Sequence, residues 1–190
     1  MQRILAASRT IDRAIGAIAS AAGWLFLALT AVILVDVVTR KFGYQLPDFG
    51  STRLQELEGH VHAALFALWL GFAYIRNAHV RVDIALARAS PRTLALFELA
   101  GCALFALPFS LIAAYFAVDY AWVSFVQNEA SVSASGLPYL FLPKMALALG
   151  VLLLVLAVLS VMLRTVVFLW GPAPLREQAG FAAYKMGAKR

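Results

Sequence analysis

The sequence predicts an all-α membrane protein of four transmembrane helices, both termini cytoplasmic, with a short interfacial segment between the second and third helices. Three observations lead there. The 190 residues are 63% hydrophobic and only 14% charged, with a mean hydropathy of +0.82, whereas a soluble domain carries about 25% charged residues. The apolar residues gather in four runs at or near the roughly 20 residues a helix needs to cross a hydrocarbon core about 30 Å thick. The cations sit in the connections between those runs, where they set orientation. Spans must be helical, because lipid offers a bare backbone amide no partner. A net charge of +6 and a pI of 9.8 do not point to nucleic acid, which would need a basic face on a polar fold. Cys102 is the single cysteine, so no disulfide forms within the chain and thiol–disulfide chemistry, which needs cysteine pairs, is excluded. No internal repeat is visible.

The first span is placed at about residues 14–38. Arg3, Arg9 and Arg13 before it resemble the flank of a signal peptide, but the run from Ala14 to Val35 is roughly 22 residues, longer than a signal core, and reads as a retained helix. The second span, about 54–76, includes the uncharged stretch Gly59 to Ile75 with His60 and His62. It reaches spanning length only by starting a turn or two earlier. Thr52 followed by Gln55 fits a capping box there, with Ser51 as a competing cap. Glu56 and Glu58 then fall in the first turns, where the helix dipole favours anions. The third span, about 92–118, opens on Ser90 as N-cap and Pro91 as first helical residue. Pro108 interrupts it and predicts a kink, since proline removes one backbone donor. The fourth, about 143–170, is aliphatic from Met145 to Leu163 and continues to Trp170. Residues 1–172 then form one membrane domain and 173–190 a basic cytoplasmic tail. With the N-terminus inside, twelve lysines and arginines lie on the inner side and four (Arg40, Lys41, Arg53, Lys144) on the outer, which favours this orientation.

Few polar residues enter the spans. Asp36 precedes Arg40 by one helical turn, so the two side chains can meet. A local ion pair is one reading and a contact to another subunit is the other. Glu56–His60 and Glu58–His62 are both i,i+4 pairs, yet they point roughly 200° apart. That suits packing and hydrogen bonding to different neighbours better than one continuous ion path. Haem needs two ligands from different helices at compatible depths, whereas His60 and His62 share one helix and His79 lies at the opposite side. Ser110 has no Gly-x-Ser-x-Gly frame, and His-Glu-x-x-His is absent. No residue reads as catalytic, substrate-binding or metal-ligating, and no resident cofactor is implied.

Between the second and third spans lies "RNAHVRVDIALARASP". If it turns helical after Asn77, His79 and Asp83 are i,i+4 neighbours and Arg81, Arg88 and Arg92 can reach lipid phosphates. An extended piece followed by a helical turn fits its alternation equally. Either form lies in the inner interface and pins the turn; a plain positive-inside loop is the simpler reading. "YIRNAHVRVDIAL" resembles the signature of the small, DctQ-like membrane subunit of tripartite ATP-independent periplasmic (TRAP) transporters. "VDVVTRKFG" at Val35 to Gly43 and "SASGLPYLFLPKMALALG" at Ser133 to Gly150 are similar to two further segments of that family. The resemblance runs from about Ile11 to Leu169.

Matched residue by residue, the family pattern takes in Asp36, Arg40, Glu56, Arg76, His79, Arg81 and Asp83. Glu58, His60 and His62 join them as structural or interface candidates. Trp69 and Gly71 depart from the commonest spacing, and His60 and His62 stand where the family is usually apolar or aromatic, so the branch and its substrate stay open. The resemblance implies a scaffold subunit beside a large permease subunit that imports a carboxylate-bearing solute. A periplasmic binding protein delivers the solute, and sodium, bound in the permease, drives the cycle. It also implies a bacterial inner-membrane location, lipids filling gaps and no enzyme activity. The alternative is a haem- or quinone-associated anchor of a respiratory complex, which a Soret band would reveal; a self-sufficient channel would pass solute alone in liposomes.

Overall fold

A computed structural model describes residues 1–44, 50–78 and 89–179. Among these residues every regular element is helical. In chain order they are α1 (Gln2–Ala22), α2 (Trp24–Lys41), α3 (Ser51–Ile75), α4 (Pro91–Gly101), a π-helical turn (Cys102–Ala106), α5 (Leu107–Val126), α6 (Phe141–Trp170) and α7 (Ala173–Gln178). α1 and α2 join through Gly23 into a run of 40 residues, α4 through α5 make one of 36, and α6 has 30; these three are long and apolar enough to cross a membrane. α3 has 25 residues, about 37 Å at 1.5 Å each, so it has the length. Glu56, Glu58, His60 and His62 near its start hold down its apolarity, and it is not among the three.

The boundaries follow from local chemistry. Ser90 caps α4 as expected, its hydroxyl accepting from the Thr93 amide with Pro91 at the first helical position. α3 starts at Ser51, so Thr52 lies inside the helix and no capping box forms; the Gly50 carbonyl takes the first backbone bonds, from Arg53 and Leu54. Three helices end alike. After α2, α3 and α5 the chain turns left-handed at Gly43 (φ 66°), Asn77 (φ 54°) and Asn128 (φ 46°). In each, two amides fold back on the last turn, for example Ala78 N–H to Ala73 O and Asn77 N–H to Tyr74 O, both 3.0 Å. This is the Schellman arrangement, for which glycine and asparagine are the favoured residues.

Pro108 acts one turn before itself. The missing amide is absorbed by the π turn, in which the Leu107 N–H reaches back to the Cys102 carbonyl. Ser110 Oγ donates to the Leu107 carbonyl at 3.0 Å. α1 begins at Gln2 rather than near residue 14. Leu5, Ser8, Ile15, Ala19 and Ala22 are buried along it, at the three- and four-residue spacing of a packed helix face. Packing, rather than membrane thickness, sets its length.

Contacts gather the chain into two compact units. The first holds the described residues within Met1–Gly16, Gly71–Ile112 and Leu153–Arg190. There Leu5, Val167 and Ala179 form a core with Ile4, Phe168 and Leu175 around it, which brings α7 into the packing where the sequence alone led to a basic tail. Ala95 and Leu169 form a second, smaller core. Gly71 faces Leu153 so closely that a Cβ there would lie 2.8 Å from its carbonyl oxygen. The second unit holds Ala17–Leu70 and Ala113–Leu152 within the described residues. In it a Cβ on Gly150 would collide with the carbonyl of Ala67. Most buried residues in both are alanine, serine or valine, while Phe105, Phe109, Tyr115 and Trp24 are exposed. Large outside and small inside is the pattern of helices packed in lipid.

Substituting Gly150 by valine should therefore destabilise the protein by about 1–3 kcal/mol, the usual cost of overpacking, because backbone on α3 cannot yield. Gly59, with open space around its Cβ position, is the control: alanine there should be neutral or stabilise by about 0.5–1 kcal/mol. Thermal melts of both variants in the same detergent check the pair, and equal melting temperatures would refute the packing account.

Candidate functional site: polar clamps at the helix ends

In the second unit the sequence motifs Asp36, Arg40 and Glu56 belong to two clamps. Asp36 is fully buried while its partner Arg40 is half exposed. One carboxylate oxygen pairs with the Arg40 guanidinium. The other accepts from Ser51 Oγ at 3.1 Å, and Ser51 in turn accepts from Gln55 Nε2 at 3.2 Å. The intrahelical pair read from the sequence is present, and it also ties the end of α2 to the start of α3. A buried carboxylate held by a cation and a hydroxyl is the arrangement that tolerates low dielectric.

Glu56 bonds to a loop rather than to His60. Its carboxylate accepts from Ser131 Oγ at 2.5 Å and from the Leu137 amide at 2.6 Å. One turn earlier Arg53 Nε donates to the Ser135 carbonyl at 3.1 Å. The first turns of α3 thus grip the loop between α5 and α6. That loop is itself bonded across its neck, Leu140 N–H to Glu129 O at 2.9 Å and Ser131 N–H to Leu137 O at 3.0 Å. Gly136 is required, since a Cβ would run into the Ser131 side chain and come within 2.7 Å of a Glu56 oxygen. At the base Glu129 pairs with Lys144, whose ammonium lies 4.0 Å from the centre of the Tyr120 ring. The Lys144 ammonium beside Glu129 holds that carboxyl below its ordinary value of 4.5.

The remaining candidates are less engaged. Glu58 has one occluded oxygen with no hydrogen-bond partner, His60 is half-buried and His62 exposed. No ion pair joins Glu58 to His62 or Glu56 to His60 among the described residues. In the first unit Arg76 closes α3 with its guanidinium 5.1 Å from the centre of the Phe72 ring. His79, Arg81 and Asp83, with the interfacial segment they belong to, lie outside the described residues.

A third clamp, in the first unit, escaped the sequence reading. Ser8 and Ser160 hydroxyls meet at 2.8 Å, Ser160 Oγ donates to Asp12 at 2.6 Å, and Asp12 pairs with Arg164 at 3.3 Å. Arg9 reaches the carbonyl and side chain of Gln178, both at 3.3 Å. Asp12 lies before the first span as the sequence placed it, from about residue 14, and was not among the candidates. The available signal was a lone acid among Arg9 and Arg13 beside an apolar run, which needs a partner. No group of three or more histidine, cysteine or acidic side chains able to hold a metal occurs among the described residues. The clamps join helix to helix or helix to loop.

Two outcomes check the loop clamp. Glu56→Ala should speed proteolysis within residues 127–140 several-fold, and Glu56→Gln less, since the amide keeps one acceptor. Because Glu129 has a depressed pKa in the folded protein, its pair contributes stability above the ordinary value of 4.5 and loses it as pH falls through the lower folded value. The melting-temperature gap between the wild type and Glu129→Gln should therefore be constant from neutral pH to about pH 5 and close in stronger acid. A gap that closes near neutrality would contradict the pairing.

No curated protein and no solved structure matches the chain. The family described as "Tripartite ATP-independent periplasmic transporters, DctQ component" matches residues 29–168, a stretch that contains the Asp36 and Glu56 clamps and the loop that Glu56 holds. The chain is a member of that DctQ family of transporter components.

Proposed function

We propose that this chain is the stationary small subunit of a TRAP-type secondary transporter, a scaffold beside a large permease subunit in a bacterial inner membrane. The observation that carries the reading is where its polar groups are used. The charged side chains of the three clamps join helix to helix or helix to loop. None is gathered into a mid-membrane site of the kind that broken helices build in transporters. α3 completes four spans: its length suffices, and its acids sit at one end, where Asp36, Glu56 and Lys144 form a polar belt. The lysine and arginine count supports placing that belt outside and both termini inside.

In this reading the permease carries the solute and the coupling sodium, and the solute bears a carboxylate. A periplasmic binding protein delivers it to a surface that includes the clamped loop, whose Val132 is fully exposed. Exposed aromatic faces such as Phe105 and Phe109 on the π turn and α5 meet lipid or the permease.

Expression with its neighbouring permease and purification through a tag on this chain tests the assignment. A stable two-subunit complex is expected, and a chain that elutes alone would end the scaffold reading. Asp83→Ala or Arg81→Ala should lower the yield of complex without altering which solute it accepts. Altered selectivity would place solute contacts in this subunit instead.

A further inference from the structure

Among the described residues α3 is the long helix left outside the three apolar spans, and its exposure is confined to one arc. Between Ser51 and Leu70, in the second unit, the exposed residues are Gln55, Gly59, His62, Ala63, Phe66 and Trp69. Their three- and four-residue spacing puts them within about a third of the helix circumference. Leu54, Leu65 and Ala67 are buried on the remainder.

The polar members of that arc lie at a depth where lipid is a poor neighbour. The Asp36–Ser51 bond sets the end of α2 level with the start of α3. Counted along each helix from that bond at 1.5 Å per residue, Gln55 lies about 6 Å and His62 about 16 Å along α3. Over the same distances α2 exposes Phe26, Leu27, Ile33 and Leu34. Hydrocarbon suits that set. An imidazole and an amide at equal depth need a hydrogen-bonding partner. His62 has no hydrogen bond or ion pair among the described residues. Gln55 gives its Nε2 to Ser51, which leaves its amide oxygen as an acceptor. Between the two, Gly59 faces open space, whereas Gly71 and Gly150 are pressed against backbone of this chain. A glycine with Ala63 one turn further on admits a second helix closely, and the flanking polar groups can bond across to it. The chain is one component of a three-part transporter, so the neighbour to expect is a different chain.

We propose that this arc of α3 is the seat of a transmembrane helix of the large permease subunit. The partner backbone lies close over Gly59 and Ala63, and a carboxylate or carbonyl oxygen on it accepts the His62 imidazole N–H. His62 then selects the partner, because a helix with leucine opposite leaves the imidazole unpaired. This seat rests on the scaffold reading and names a contact that the reading by itself does not.

The complex purified through a tag on this chain supplies the test. Phe66→benzoylphenylalanine should crosslink to the permease on irradiation. His62→Leu should lower the yield of complex about threefold, the scale of one interhelical hydrogen bond, and His62→Gln, which keeps an N–H, should restore most of it. Gly59→Leu should lower the yield about tenfold by overpacking the seat. Expressed alone, these variants should melt as the wild type does, since the positions are exposed within the chain. A wild-type chain that elutes without the permease would end the scaffold reading itself. A wild-type complex whose yield is unchanged in His62→Leu and Gly59→Leu overturns this seat alone, as does a residue 66 adduct to lipid or to a second copy of the chain.

Discussion

Hydrocarbon is as apolar as leucine, so helices dissolved in it gain nothing by burying leucine against leucine. What can hold them is close backbone approach and the hydrogen bonds that lipid cannot supply. This constraint orders the whole molecule. Gly71 and Gly150 let α3 and α6 approach until backbone meets backbone, and most buried positions are alanine, serine or valine while phenylalanines such as Phe105 and Phe109 are exposed. A soluble protein of the same composition would turn that arrangement inside out.

The same constraint explains where the charges went. An unpaired carboxylate in lipid is costly, and a paired one tolerable. Asp36, Glu56 and Asp12 each have a cation, a hydroxyl or a backbone amide within hydrogen-bonding distance. Each of these bonds also joins two elements, so satisfying a polar group and fixing the fold are one act. Glu56 is the clearest case: its two acceptor oxygens replace the solvent that the Ser131 hydroxyl and Leu137 amide would otherwise need.

Some signals confined to one turn were legible in the sequence, namely the Ser90 cap and the Asp36–Arg40 pair; the equally local capping box at Thr52 and Gln55 was not borne out, because α3 starts one residue earlier. Partners distant in sequence were not legible. Glu56 and His60 are neighbours on a helix, and the i,i+4 rule favours their pairing. The Ser131 and Leu137 donors lie 75 and 81 positions away, and a loop amide held in place offers a better-aligned bond than an imidazole on a rotating side chain. α1 misled for the same reason. Membrane thickness argues for a start near residue 14, but Leu5 finds Val167 and Ala179, and a helix continues wherever packing rewards it.

The nature of these contacts bears on what a subunit beside a moving partner must do. Side chains in a fluid interface can slide past one another by changing rotamers. Backbone seated on backbone at a glycine has no rotamer to change, and a carboxylate gripping two donors has one geometry. Gly136 shows how tightly the second kind is built, since even a methyl group there would strike both Ser131 and Glu56. Each unit, assembled from such contacts, resists shear along its helices, the deformation that a moving neighbour in the proposed complex would impose. Rigidity of this kind is what the proposed stationary role demands, and it arises from the solvent rather than from any residue specialised for transport.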